Sequence, residues 1–311
     1  MRTSIIVPVM NEEETVLTLV EKIEAVMTEH PELGPHEILF VDDGSTDATW
    51  ARIQSTAESF SAVSGLRLRR NFGKAAALQQ GIQASRGEII VTMDGDLQDD
   101  PNELPRFFEA LDGGLDLISG WKRTRHDPLG KTMPSKVFNY VVSRVSGIPL
   151  HDFNCGFKAY RREIFDSVNL YGELHRFIPV LAGSLGYRIG ELEVLHHPRQ
   201  FGQSKYGVSR MLKGFLDLLT VVTITRFDSK PGHLFGGAGT VALALGLLIN
   251  GWLTVEWFMG ISIGGRPALM LGVLLMIVGL QIILFGMMAE LSISRRAGPP
   301  ASVMVRERTG E

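Results

Sequence analysis

EIIVTMDGD, residues 88–96, reads as a strand that ends on two aspartates placed around a glycine. The same pattern recurs on both sides of it. TSIIVPVM at 3–10, EILFVDD at 37–43, GLRLRR at 65–70 and LDLISGW at 115–121 read as further strands. Helical patterns lie between them. Residues 12–29 place Val16, Leu19, Val20 and Ile23 on one face, Asp47 is positioned to cap a second helix, and Lys74 to Ala84 form a third. Pro101 is placed to open another in its first turn. Near-continuous apolar strands alternating with helices predict an α/β fold, a mostly parallel sheet with helices on both faces.

The chain changes character after this domain. Leu234 to Val255 and Ala268 to Ala289 carry no charge, and each run of 22 residues is long enough to cross a bilayer core as a helix. Two such helices in succession exceed what an ordinary soluble core absorbs, so a transmembrane hairpin is expected. The substrate of the preceding domain is then expected in the membrane. Arg210, Lys213, Arg226 and Lys230 precede the first span, and Arg295, Arg296, Arg306 and Arg308 follow the second. The loop at 256–267 holds one basic residue, Arg266, so the positive-inside rule places both ends in the cytoplasm. Trp252 and Trp257 stand where an interfacial anchor is expected. Residues 207–226 carry an apolar stripe through Val208, Met211, Leu212, Phe215, Leu216, Leu219 and Val222. A helix lying in the membrane interface and a helix packed on the soluble domain both fit that stripe. Ala238, Ala242 and Gly246 repeat every four residues, and Gly272, Gly279 and Gly286 every seven. Such small-residue faces suit close packing, either of the two helices with each other or between subunits of a homo-oligomer.

Composition narrows the function. The net charge of −3 argues against a general nucleic-acid binder, and the single cysteine, Cys155, permits no intramolecular disulfide. MRTSIIVPVMNEEE turns acidic after a short apolar run, and it reads as a first strand rather than a signal peptide.

In a parallel α/β sheet, ligands sit at the carboxyl ends of the strands. Four polar clusters fall there: Pro8–Asn11–Glu12, Asp42–Asp43–Gly44–Ser45, Asn71–Gly73–Lys74 and Asp94–Gly95–Asp96. Any one of them reads as a turn or a cap, but four in series at strand ends point to a site. Asp94 and Asp96, with Gly95 letting the backbone come close, can reach one small hard cation. Mg²⁺ or Mn²⁺ suits two carboxylates plus phosphate oxygens, whereas zinc lacks a His/Cys cluster. His196 and His197 are adjacent, so their side chains diverge on a strand, which favours structural roles.

The order of motifs resembles the family-2 inverting glycosyltransferases with a GT-A nucleotide-sugar fold. It is carried by VPVMNEEETV at 7–16, VDDGSTDAT at 41–49, RNFGKAAAL at 70–78 and TMDGDLQDDP at 92–101. It continues through LISGWKRTR at 117–125, HDFNCGFKAYRRE at 151–163, HRFIPVLA at 175–182 and RQFGQSKYG at 199–207. With the hairpin added, the chain is similar to the polyprenyl-phosphate branch that includes dolichol-phosphate mannose synthase. The resemblance implies that Pro8, Glu12 and Asp43 hold the nucleotide base and ribose, with Lys74, Gly95 and Gln98 also on the donor. It implies that Asp94 and Asp96 hold the metal that bridges the donor diphosphate. Lys122, Arg123 and Lys136 would face phosphate, and Arg199, Ser204 and Lys205 match the acceptor loop. Asp152 stands at the position of the family's base. A phosphate monoester is already largely ionised at pH 7, so Asp152 is expected to position a cation or the acceptor rather than to take a proton.

The expected activity is transfer of one sugar, with inversion, from a UDP- or GDP-sugar to undecaprenyl or dolichyl phosphate on the cytoplasmic face. The expected parts are a cytoplasmic GT-A domain at 1–206, a juxtamembrane region at 207–233, two transmembrane helices at 234–291 and a cytoplasmic tail at 292–311. That makes an integral protein of the inner membrane if the source is bacterial. Two rivals stand beside this reading: a membrane glycosyltransferase acting on a hydroxyl of a glycan or glycolipid, and a non-catalytic scaffold that binds nucleotide sugars.

Overall fold

A computed structural model describes residues 1–123, 129–168, 174–197 and 231–294, except for the side chains of 129–137, 231–234 and 290–294. The chain divides into two compact units, the second of them holding the long apolar helices.

In the first unit, β1 (Thr3–Val9), β2 (His36–Asp42), β3 (Val63–Arg67) and β4 (Ile89–Thr92) lie side by side and parallel, in the order β3-β2-β1-β4. Their connections are α1 (Val16–Glu29), α2 (Thr49–Ser59) and α3 (Lys74–Ala84). The chain continues through α4 (Leu104–Asp112), β5 (Leu117–Trp121), α5 (Leu129–Ser146), β6 (Lys158–Arg161), α6 (Ile164–Ser167), α7 (Ile178–Ser184) and β7 (Ile189–Glu193). The complete seven-stranded sheet runs β3-β2-β1-β4-β6-β5-β7. The expected α/β fold is therefore present, with one antiparallel strand, β6, between β4 and β5.

That strand positions the site. Thr92 pairs with Lys158, and antiparallel pairing sets the start of β6 beside the end of β4. The turn at 152–157, just before β6, is thereby delivered to the aspartates that follow β4.

The apolar face of α1 is buried as its spacing predicts, with Val16, Leu19, Val20 and Ile23 fully covered. It packs into one core with Ile5, Val7, Phe40, Phe107 and Phe157, the last two stacked at 4.6 Å. Burying each of these side chains contributes roughly 1.5–3 kcal/mol. Several boundaries differ from expectation; β4, for example, ends at Thr92 rather than at 96. α1 starts at Val16 rather than at residue 12, because Asn11 takes a left-handed conformation (φ 58°) and its side chain accepts from Thr46 N at 2.9 Å. β3 spans Val63–Arg67 rather than 65–70. Pro101 opens a 3₁₀ turn, capped by Asp100, before α4 begins at Leu104.

The second unit is a helical hairpin, Pro231–Phe258 and Pro267–Ser294. Its two candidate spans, Phe235–Phe258 and Pro267–Ala289, are only 17% and 11% buried, the opposite of core helices in a soluble protein. Apolar side chains such as Leu248, Trp252, Phe285 and Met288 face outward. This is a membrane-associating hairpin. Its glycines bring the two helices together: a Cβ on Gly279 would lie 2.6 Å from Leu243 N, and one on Gly246 would lie 2.7 Å from Gly272 O. Asn250 lies against Gly272 and donates to Met276 Sδ at 3.3 Å. The apolar stripe at 207–226 lies outside the described residues.

Candidate active site

The strand ends bring most of the expected residues to one rim. Asp94 and Asp96 follow β4. Backbone N–H groups tie the loop down: Asp94 N donates to Asp99 Oδ2 at 3.2 Å, and Gln98 N to Asp96 Oδ1 at 3.3 Å. Leu97, between them, has a φ of 60° and is buried, so the loop is held in a conformation rare for leucine. The amide of Gln98 donates to His197 O at 3.2 Å, and His197 Nε2 meets Asp100 Oδ2 at 3.0 Å. The two adjacent histidines, just after β7, thus brace the loop that follows β4.

Lys74 donates to Asp94 Oδ1. Lys122 pairs with Asp99 at 2.8 Å, and Lys158 donates to the carbonyls of Phe153, at 3.3 Å, and Cys155. Burial works against ionisation of Asp94, but the charges of Lys74, Lys122 and Lys158 outweigh it and hold its carboxyl well below the usual range. Burial likewise opposes the charge on Lys122, and Asp99 more than offsets it, keeping the ammonium protonated. The Cys155 thiol is pushed up to about 12, chiefly by burial.

Asp43 is buried and accepts from Phe72 N at 2.7 Å and Gly73 N at 2.9 Å, so it shapes the turn that leads into Lys74. Glu12 N donates to Thr49 Oγ1 at 2.8 Å, and Pro8 lies in β1 beside Val41. Asp152 is buried; its N–H donates to Glu191 Oε1 at 3.0 Å and its Oδ1 accepts from Asn154 N at 3.1 Å. Arg123 is exposed and pairs with Glu193 at 3.2 Å. Arg199, Ser204 and Lys205 lie outside the described residues, as does the side chain of Lys136.

Sequence reasoning missed several members of this arrangement. Asp99 anchors Lys122, buried Lys158 clamps the 153–155 turn, and Glu191 ties down Asp152. Gly156 is needed because a Cβ there would lie 2.6 Å from both carboxylate oxygens of Asp94. His175 lines a small cavity with Lys74, Leu78, Asn154, Lys158 and Arg176, and its Nδ1 has no hydrogen-bond partner. The signals were faint. Asp99 is one of two adjacent aspartates, and Lys158 looks like any strand lysine.

The donor set suits a hard divalent cation. Among the described residues no group of three His, Cys, Asp or Glu side chains comes together. Asp94 and Asp96 would offer such a cation two carboxylates, leaving the remaining positions to phosphate or water, as Mg²⁺ and Mn²⁺ prefer.

Comparison with known proteins agrees with the geometry. The sequence profile described as Glycosyl transferase family 2 matches residues 4–168. The chain is 44% identical to a dodecaprenyl-phosphate galacturonate synthase of Rhizobium johnstonii, over 93% of this chain and 86% of that one. It is 36% identical to an undecaprenyl-phosphate 4-deoxy-4-formamido-L-arabinose transferase of Pseudomonas aeruginosa, over 92% and 84%. Among solved structures it resembles glucosyl-3-phosphoglycerate synthase from Mycobacterium tuberculosis in complex with Mn²⁺ and UDP-glucose, with a TM-score of 0.51 at 18% identity, over 71% of this chain and 78% of that one. At that identity the likeness shows the fold alone.

Proposed function

The chain belongs to glycosyl transferase family 2, and from that premise we propose that it moves one sugar, with inversion, from a nucleoside-diphosphate sugar to a polyprenyl phosphate at the cytoplasmic face of a membrane. The observation that carries this reading is the pair Asp94 and Asp96 at the end of β4, ringed by Lys74, Lys122 and Lys158, in a chain that also holds two helices long enough to span a bilayer. The two lipid-phosphate relatives support the acceptor.

Each residue has work to do in that reaction. Pro8, Glu12 and Asp43 border the nucleoside end of the rim. Asp94 and Asp96, with Gln98 beside them, would hold Mg²⁺ or Mn²⁺, which when bound neutralises charge on the leaving diphosphate. Lys74 adds a cation to that side. Asp152 is held rigidly by Glu191 and the Asn154 amide, which suits positioning of the acceptor phosphate more than proton transfer. Its substrate's nucleophilic oxygen is already ionised near neutral pH, the second phosphate pKa being about 6. Lys122, Arg123, Lys136, Arg199, Ser204 and Lys205 are assigned to the two phosphates. The loop between the spans faces away from the cytoplasm, with both chain ends on the cytoplasmic side.

The experiment is transfer to undecaprenyl phosphate from radiolabelled UDP- and GDP-sugars, using detergent-purified protein with Mg²⁺, Mn²⁺ or EDTA. A mild-acid-labile lipid product from one donor, lost in EDTA, is expected. Intact donors and no lipid product from folded protein would move the acceptor to a hydroxyl.

A further inference from the structure

Lys74 is placed against the electrostatics of its own helix. It is the first residue of α3, whose first turn carries no acidic side chain, so its charge adds to the positive end of the helix dipole. Its compensation is Asp94, whose Oδ1 accepts from its ammonium. Two other lysines act on the same carboxylate, but they are anchored elsewhere. Lys122 is 12% exposed and bound to Asp99, while Lys158 is 3% exposed and bound to the carbonyls of Phe153 and Cys155. The Lys74 side chain is 34% exposed and sits on Asp94 itself. Of the three, it is the one with both the solvent access and the tether to move.

A divalent cation on Asp94 and Asp96 would share a carboxylate with that ammonium. Like charges on one carboxylate repel strongly at the low effective dielectric of a part-buried site. An anion arriving at the α3 N-terminus removes the conflict, because it offers Lys74 a second partner where the helix dipole also favours negative charge.

We propose that Lys74 and the divalent cation compete for Asp94, so that the cation binds together with the donor diphosphate and not before it. This rests on the assignment of Asp94 and Asp96 as metal ligands above. The diphosphate draws Lys74 off Asp94 and completes the cation's coordination in the same event. Coupling of this kind is reciprocal: the nucleotide tightens the cation by the factor by which the cation tightens the nucleotide.

The test is Mn²⁺ binding by the full-length protein in detergent, read by the loss of the free-Mn²⁺ electron spin resonance signal. It is run alone and with UDP or GDP, with the Mn²⁺ held by nucleotide in solution subtracted. Wild type is expected to bind Mn²⁺ weakly alone and at least tenfold more tightly with the matching nucleotide. Lys74→Met is expected to bind Mn²⁺ alone about tenfold more tightly than wild type, and the nucleotide effect should shrink below threefold. Lys74→Gln serves the same purpose if the Met variant fails to fold, and Asp94→Asn should abolish the tight phase in both states. An unchanged Mn²⁺ affinity in folded Lys74→Met, with nucleotide coupling intact, overturns the competition and leaves the metal assignment standing. No Mn²⁺ bound by either protein, even with both nucleotides, overturns the metal assignment and the competition together.

Discussion

Gly156→Ala tests the site at its tightest point. The added Cβ would lie 2.6 Å from Oδ1 and from Oδ2 of Asp94. Comfortable carbon–oxygen contact begins at about 3.3 Å, so the carboxylate must retreat by roughly 0.7 Å. The backbone itself accepts alanine, since Gly156 is not among the glycines with positive φ. Asp94 has little freedom to retreat along its present path: its N–H is bound to Asp99 and its Oδ1 to Lys74. Pushing the side chain off its rotamer costs about 0.5–1.5 kcal/mol, a loss of a few degrees in Tm for a unit of this size. Activity should suffer far more. A misplacement of about 1 Å in a catalytic constellation costs about 100-fold, so kcat should fall by roughly 10- to 100-fold. The assay is initial-rate transfer to undecaprenyl phosphate at saturating donor and acceptor, paired with thermal unfolding of the same preparation. A kcat within threefold of wild type, at unchanged Tm, would refute the claim that Gly156 sets the position of Asp94.

Asp99→Asn leaves Lys122 buried without its counter-charge, which should cost about 3–5 kcal/mol, and Lys122→Met added to it should recover part of the lost Tm. His175 titrates well below its ordinary 6.5, first because it is buried and then because Lys74, Arg176 and Lys158 surround it. The unfolded chain therefore takes up a proton that the folded chain refuses, and stability should fall by up to about 1.4 kcal/mol per pH unit below about 6.5 while staying intact above it. His175→Gln should flatten that limb, and parallel pH curves for the two proteins would sink the argument. Asp96→Asn should lower kcat about 10²–10³-fold, on the scale of losing one electrostatic stabiliser. Asp152→Asn should lose less, with no recovery at high pH; deep loss rescued by raised pH would make Asp152 the base. In the hairpin, a Cβ at Gly279 meets backbone atoms of Leu243 and Gly239, whereas one at Gly251 meets nothing within 4 Å. Gly279→Val should therefore lower the melting temperature in detergent and Gly251→Ala should not.

Much of this was legible in the order of residues. β1, β2, β4, β5 and α3 lie where apolar runs and the 3.6-residue spacing place them, and the two spans show in their length and lack of charge. The four polar clusters declared themselves because each follows a strand, and a parallel sheet gathers strand ends on one rim. The glycine pattern left open both packing within the hairpin and packing between subunits; contacts at Gly246, Gly272 and Gly279 show packing within it.

What the sequence could not say concerns long-range pairing. β6 is four residues long, too short to carry a periodicity, and nothing local announces that Lys158 will lie opposite Thr92 in antiparallel register. Yet that pairing brings Gly156 against Asp94 and stations Lys158 under the turn that holds Phe153 and Cys155. The partners of Lys122 and Lys74 have the same origin, because an ion pair depends on which strand ends become neighbours. Local free energy, expressed in apolar spacing and turn residues, determined by itself the elements of the first half of the sheet, the rim and the hairpin. Only the assembled sheet decided which charge neutralises which, since burial and Coulomb energy depend on distances that exist only after folding.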